Sequence, residues 1–230
     1  MHNPRDWREQ LHLGREEPAH PEYQLRGPNL WPANPEWKSE MLALIDDLET
    51  AATDVLRILA DVPDDELPYL VIKLIHYQEL PNGELRSGVA PHVDFSWITL
   101  LIQDETGGLE FYTRDGSWVA VPPEPGALVV NIGEILDFAT RGYFAATPHR
   151  VVSGARSRIS IPFFLNPGLD SRVAPLESFT DHKMRWSVPP AHVHRVFSTP
   201  RQAPFVYGDE EWRRKGLGIY CESCFRHAGG

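Results

Sequence analysis

The sequence predicts a mainly β fold, an antiparallel sandwich or jelly roll with one helical buttress, and three observations predict it. Short β-rich runs follow one another from residue 69 to 165, separated by turn signals such as "TGG", "RDG" and "PEPG". One segment before them carries apolar residues at three- and four-residue steps. Several strands at that spacing close into a sandwich or a rolled sheet, and the helix covers one face.

In chain order, residues 1–35 are rich in proline and charge, with no sustained period. "RGPNLWPANPEW" (26–37) is expected to be irregular and anchored by Trp31 and Trp37. From Glu36 to about Ala60, the positions Met41, Leu44, Ile45, Leu48, Ala52, Val55, Leu56 and Leu59 form one stripe of an amphipathic helix. Pro35 stands at its start and "DVPDDELP" ends it. The β-rich runs are "YLVIKLIHY" (69–77), "WITLLIQ" (97–103), "LEFYT" (109–113), "SWVAV" (117–121), "ALVVNI" (127–132), "HRVVS" (149–153) and "RISIPFFL" (158–165). The rest of the chain is mixed, with a helix expected near 208–216. At 230 residues this reads as a single domain, with an N-terminal segment and helix (1–68), a β core (69–167) and a C-terminal extension (168–230).

A composition of 42 % hydrophobic and 23 % charged residues is ordinary for a soluble protein. The net charge of −10 argues against a nucleic-acid partner, whose phosphates need a basic face. The chain has no apolar run of membrane-spanning length and no signal-peptide pattern at its start, so no membrane partner and a cytoplasmic location are expected. The two cysteines, Cys221 and Cys224, suit a reducing compartment. They are two thiols on a tail or, with His227, part of a zinc site that lacks a second pair.

The chemistry centres on "PHVDFSWITLL" (91–101). Residues two apart on a strand share a face, so His92 and Asp94 at the mouth of a strand can converge. Alone, the pair also fits a solvent-exposed turn. A second segment, "TPHRVVSGARSRISIPFFLNP" (147–167), opens a strand at His149 after several antiparallel strands, which brings it back beside the first in a rolled sheet. Two imidazoles and one carboxylate make the facial triad that binds Fe(II) and leaves adjacent positions open. Arg158 and Ser160 repeat the two-residue step. An arginine inside a β core needs an anion, and a carboxylate held by its guanidinium and the serine hydroxyl would satisfy both; a surface ion pair is the plainer alternative.

Together, "HVD", "TPHRVVSG" and "RIS", with "TGGLEFYTRDGSWVAVPPEPGALVVNIGEIL" between them, resemble the isopenicillin N synthase-like group of Fe(II)/2-oxoglutarate-dependent dioxygenases. The resemblance runs from about residue 69 to 167, and "GPNLWP" upstream adds to it. It implies a double-stranded β-helix (jelly roll), with iron on His92, Asp94 and His149. It also implies that 2-oxoglutarate is anchored on Arg158 and Ser160 and that O2 is a cosubstrate. Tyr77 matches a tyrosine that often reaches the same carboxylate, although Gln78 stands where the group usually has proline. The implied reaction hydroxylates or desaturates a small molecule, with succinate and CO2 as co-products, and the Asp94 carboxylate favours those outcomes over halogenation. Two alternatives remain open. One is an oxidase of the same family that uses no 2-oxoglutarate, and the other is a non-catalytic jelly-roll binding protein.

Phe95 and Trp97, beside the ligand pair, are pocket candidates. So is Phe163, beyond Ser160 on the same strand, provided Pro162 leaves the alternation intact. Ordinary core packing is the other reading of each. "HVH" (192–194) reads as surface. Relative to the group, the front is N-terminally shortened, which leaves one sheet edge to be covered by charge, by the N-terminal segment or by a partner chain. A homodimer or an unusually open site is the expectation, tested by the mass in solution.

Overall fold

In the computed structural model of this chain, the described residues are 8–19, 25–63, 67–80, 84–181, 193–194, 196 and 203–215. Eleven strands and three helices are described: β1 (Glu9–Gly14), α1 (Pro35–Leu59), β2 (Tyr69–Tyr77), β3 (Arg86–His92), β4 (Ile98–Gln103), β5 (Leu109–Tyr112), β6 (Trp118–Ala120), β7 (Val129–Ile132), α2 (Glu134–Ala139), β8 (His149–Ser153), β9 (Arg158–Asn166), β10 (Arg172–Val173), β11 (Phe205–Val206) and α3 (Tyr207–Lys215). One sheet has the order β1-β2-β9-β4-β7 and faces a second of order β3-β8-β5-β6, while β10 and β11 form a small ribbon. Every pairing within the two large sheets is antiparallel. This is the double-stranded β-helix, with α1 as its buttress. None of the described helices is long and apolar enough to cross a membrane.

The apolar stripe explains α1. Met41, Ile45, Leu48, Ala52 and Leu56 are its buried residues. They pack in one core with Leu70, Ile72, Leu100, Phe163 and Leu165 from the outward face of the larger sheet. Each such side chain contributes about 1.5–3 kcal/mol on burial. Pro35 is the first helical residue, where a missing N–H costs nothing, and the Asn34 side chain caps the start by accepting from the Trp37 N–H at 3.1 Å. Trp31 and Trp37 meet edge to face at 5.8 Å, anchoring the irregular stretch as expected.

Residues 9–14, which carry no strand signal beyond Leu11 and Leu13, form β1 on the edge of β2. The N-terminal segment therefore covers that edge. Along β9 the faces alternate strictly. Ser160 pairs with Ile75 and Gln103 over the interior, and Phe163 pairs with Ile72 and Leu100 over the helix side. The β2–β9 register skips Lys73 and Leu74, opposite Ile161 and Pro162, where proline has no N–H to donate.

Gly133 joins β7 to α2 and sets the turn behind the loop that carries Asp94. A Cβ there would lie 2.1 Å from the Ser96 carbonyl oxygen and 2.5 Å from its Oγ. Backbone cannot yield as a side-chain tip can. Gly133→Ala is expected to cost about 3 kcal/mol, at the upper end of overpacking penalties, and to lower the thermal midpoint by roughly 6–12 °C. Thermal unfolding monitored by circular dichroism checks this.

Candidate metal centre

The site lies at one end of the space between the sheets. β3 ends in His92, which pairs across to His149 at the start of β8. Asp94 follows in the turn between β3 and β4, so the ligand pair spans a strand end and a turn rather than two positions of one strand. The ligand atoms of His92, Asp94 and His149 all lie within 4.8 Å of one another, the one such grouping of three among the described residues. The Nε2 of His92 is 3.5 Å from Asp94 Oδ1, and that of His149 is 3.6 Å from Oδ2.

Backbone carbonyls orient both imidazoles. His92 donates Nδ1–H to the Ala90 oxygen at 2.9 Å, and His149 donates Nδ1–H to the Thr147 oxygen at 3.0 Å. A carbonyl only accepts, so each Nδ1 carries a proton, which leaves Nε2, the nitrogen that faces Asp94, as the atom of each ring that could bind a metal. The carboxylate is held in turn by Thr99 Oγ1 at 2.7 Å and Asn131 Nδ2 at 2.8 Å. Thr99 and Asn131 are cross-strand partners on β4 and β7. Burial works against the charged form of Asp94, yet His149, His92 and Asn131 outweigh it and hold the carboxyl well below the usual carboxylate range. Burial, and then His92, pushes His149 below the usual imidazole range. Two imidazoles and a carboxylate are the donor set of a divalent transition metal with open positions.

Thr99 and Asn131 escaped the sequence reading. Their signal was a polar side chain inside the apolar runs "WITLLIQ" and "ALVVNI". Thr99→Val removes one donor without changing shape, so the affinity for Fe(II) is expected to fall by about 10–100-fold while the fold persists. Anaerobic titration with Fe(II) measures it.

Deeper on the interior face lies a second cluster. Arg158 pairs with Tyr77 across the strands, and its guanidinium sits 4.9 Å from the centre of the Tyr77 ring. The Ser160 hydroxyl donates to the Tyr77 oxygen at 3.5 Å. Arg158 is only 2 % exposed, and Nε, Nη1 and Nη2 are all buried without a hydrogen-bond partner among the described residues. A guanidinium left so is costly unless an anion completes it, and a carboxylate fits its fork. Gly88 leaves room for this cluster, since a Cβ there would sit 2.7 Å from the Tyr77 ring. The residues that metal and dicarboxylate chemistry would need are thus all present.

The aromatic candidates fare differently. Phe163 is fully buried in the α1 core. Pro162 does not interrupt the alternation, and three residues is an odd step from Ser160, so Phe163 points away from the interior. Phe95 and Trp97 are also buried in that core, and Phe95 stacks on Tyr207 of α3 at 5.5 Å. All three follow the packing reading. "HVH" was read as surface: His194 is exposed, its backbone forming a parallel bridge to His92, Val193 is buried, and His192 lies outside the described residues. Cys221, Cys224 and His227 lie outside the described residues.

Comparison with known proteins agrees with this geometry. Residues 68–167 match the family model of the 2OG-Fe(II) oxygenase superfamily. Gibberellin 3-beta-dioxygenase 2 of Arabidopsis thaliana is 39 % identical over 112 residues, which are 48 % of this chain and 32 % of that protein. A 2-oxoglutarate-Fe(II) type oxidoreductase of Aspergillus fumigatus is 34 % identical over 187 residues, 74 % of this chain and 56 % of that one. Among solved structures, a 2OG-Fe(II) oxygenase family protein of Caulobacter crescentus superposes with a TM-score of 0.71 at 28 % identity. That superposition covers 92 % of this chain and 70 % of its own. The chain thus spans between a third and somewhat over half the length of these two curated relatives.

Proposed function

Since this chain belongs to the 2OG-Fe(II) oxygenase superfamily, we propose that it is an Fe(II)- and 2-oxoglutarate-dependent oxygenase that hydroxylates or desaturates a small molecule. His92, Asp94 and His149 hold the iron; Arg158, Ser160 and Tyr77 hold the distal carboxylate of 2-oxoglutarate. The carrying observation is the buried, unpartnered guanidinium of Arg158 on the same interior face as the triad's support, Thr99. When bound, iron and 2-oxoglutarate together activate O2, and 2-oxoglutarate leaves as succinate and CO2. The chain's own share is geometry and charge. Thr99 and Asn131 fix the carboxylate ligand, the carbonyls of Ala90 and Thr147 fix the imidazoles, and Arg158 fixes the cosubstrate's far end. A net charge of −10 favours a small-molecule substrate over a nucleic acid.

Anaerobic protein mixed with Fe(II) and 2-oxoglutarate is expected to develop the weak visible charge-transfer band of an iron-bound 2-oxo acid. Aerobic turnover should then release succinate in proportion to substrate oxidised. Iron binding without the band, or product without succinate, would instead mean an oxidase that anchors its own substrate on Arg158.

A further inference from the structure

Lys73 points into the interior from the middle of β2, between Ile75 and Val71, with its ammonium 4.6 Å from the centre of the Phe164 ring. It is half-buried and makes no ion pair or hydrogen bond among the described residues. Phe164 pairs with Thr99, the residue that holds Asp94, so this ammonium lies toward the metal end of the interior and away from Arg158. The negative group acting on it is Asp94 itself, whereas Arg214, Arg8 and Lys215 oppose its charge. Burial is the largest influence and lowers its pKa to about 8, so it stays mostly protonated at neutral pH.

That arrangement changes when Asp94 ligates a cation, because the counter-charge of Lys73 is then spent on the metal. Three facts bear on what replaces it. His12 of β1 is the direct cross-strand neighbour of Lys73, so a second nitrogenous side chain stands at the same level. A cavity of about 240 Å³ opens beside His12, lined also by Arg15, Glu17, Arg26, Val71 and Lys215. Arg15 and Lys215 beside this opening are already paired with Glu49 and Glu211, whereas Lys73 has no such partner among the described residues. We propose that Lys73 binds a carboxylate of the primary substrate at the metal end of the barrel, making the substrate a small apolar acid whose body lies against Phe164. This specificity role rests on the oxygenase reading and extends it to the substrate class.

The test uses the full chain loaded anaerobically with Fe(II) and 2-oxoglutarate. The probes are phenylacetate, cinnamate and octanoate, each beside its neutral amide, and the readout is the perturbation of the charge-transfer band on titration. At least one carboxylate is expected to bind about 10-fold or more tightly than its amide, the range of a charge-assisted hydrogen bond. Lys73→Met should reduce that preference to within about twofold, and Lys73→Arg should retain most of it, with the unperturbed band unchanged in both. The inference is overturned if no carboxylate out-binds its amide in the wild type, or if Lys73→Met keeps the preference. A missing band in the wild type would instead overturn the oxygenase reading, and a band lost only in Lys73→Met would assign Lys73 to the 2-oxoglutarate site.

Discussion

Arg158→Met is expected to raise the thermal midpoint of the metal-free protein while abolishing its response to 2-oxoglutarate. The two effects have one origin. The guanidinium is almost fully buried and all three nitrogens lack a partner among the described residues, which leaves a buried charge to be compensated by a ligand. The Tyr77 ring offsets part of that cost, since a cation over an aromatic face is worth about 0.5–2 kcal/mol. Replacing buried ionic groups with apolar side chains of similar length commonly stabilises by roughly 1–4 kcal/mol. For a chain of this size that corresponds to roughly 2–16 °C. With cosubstrate present, the balance reverses. Losing one partner of a buried charge pair costs about 2–5 kcal/mol, so the affinity for 2-oxoglutarate should fall by between about 30- and 4,000-fold. Thermal scans of the metal-free protein read the first effect, and scans in the presence of Fe(II) under argon, with and without 2-oxoglutarate, read the second. A variant less stable than wild type without ligand would mean that Arg158 supports the fold and that its hydrogen-bond partners lie elsewhere.

The interior cluster was legible because the strand rule is local. Arg158 and Ser160 sit two apart on β9, and the structure keeps them on one face with Tyr77 opposite. The same rule applied to His92 and Asp94 brought together residues that the structure also brings together, for a different reason. They converge because β3 ends at His92 and the turn carries Asp94 onto donors from β4 and β7. A turn's path depends on what it docks against, and no period in the sequence encodes that. Phe163 illustrates the converse. Its hydrophobicity suits a pocket or a core equally, and only its parity along β9 decides between them. β1 was illegible for another reason. "EQLHLG" has two apolar residues, both on the helix side, and its polar residues occupy the outer edge of the sheet where a paired strand would be covered. Polar residues on an edge strand guard against pairing with another chain, and they also erase the hydrophobic signal by which strands are found.

Asp94→Ala is expected to remove iron binding, and Asp94→Asn separates the causes. The alanine variant leaves two imidazoles, and Fe(II) affinity should drop by at least about 100-fold, beyond the cost of losing an orienting contact. It also removes the acceptor of the Asn131 amide and the shorter of the Thr99 hydroxyl's two contacts, leaving Thr99 with Ser96 Oγ at 3.3 Å. Each buried donor left unpaired costs about 1–3 kcal/mol, so this variant should lose stability as well as metal. Asparagine keeps one oxygen acceptor in place but carries no charge to balance the cation. Its thermal midpoint should therefore stay nearer the wild type while iron binding is lost, and with it the 2-oxoglutarate charge-transfer band, which needs the metal. Asp94→Ala retaining full turnover would remove Asp94 from the metal site. A fully folded Asp94→Asn that binds iron as well as wild type would make the carboxylate's charge irrelevant, and the triad would then be a structural knot of hydrogen bonds. The geometry argues against that outcome. Thr99 and Asn131 both bond to Oδ2, whereas Oδ1 faces Nε2 of His92 at 3.5 Å, a separation that suits a shared cation better than a short hydrogen bond.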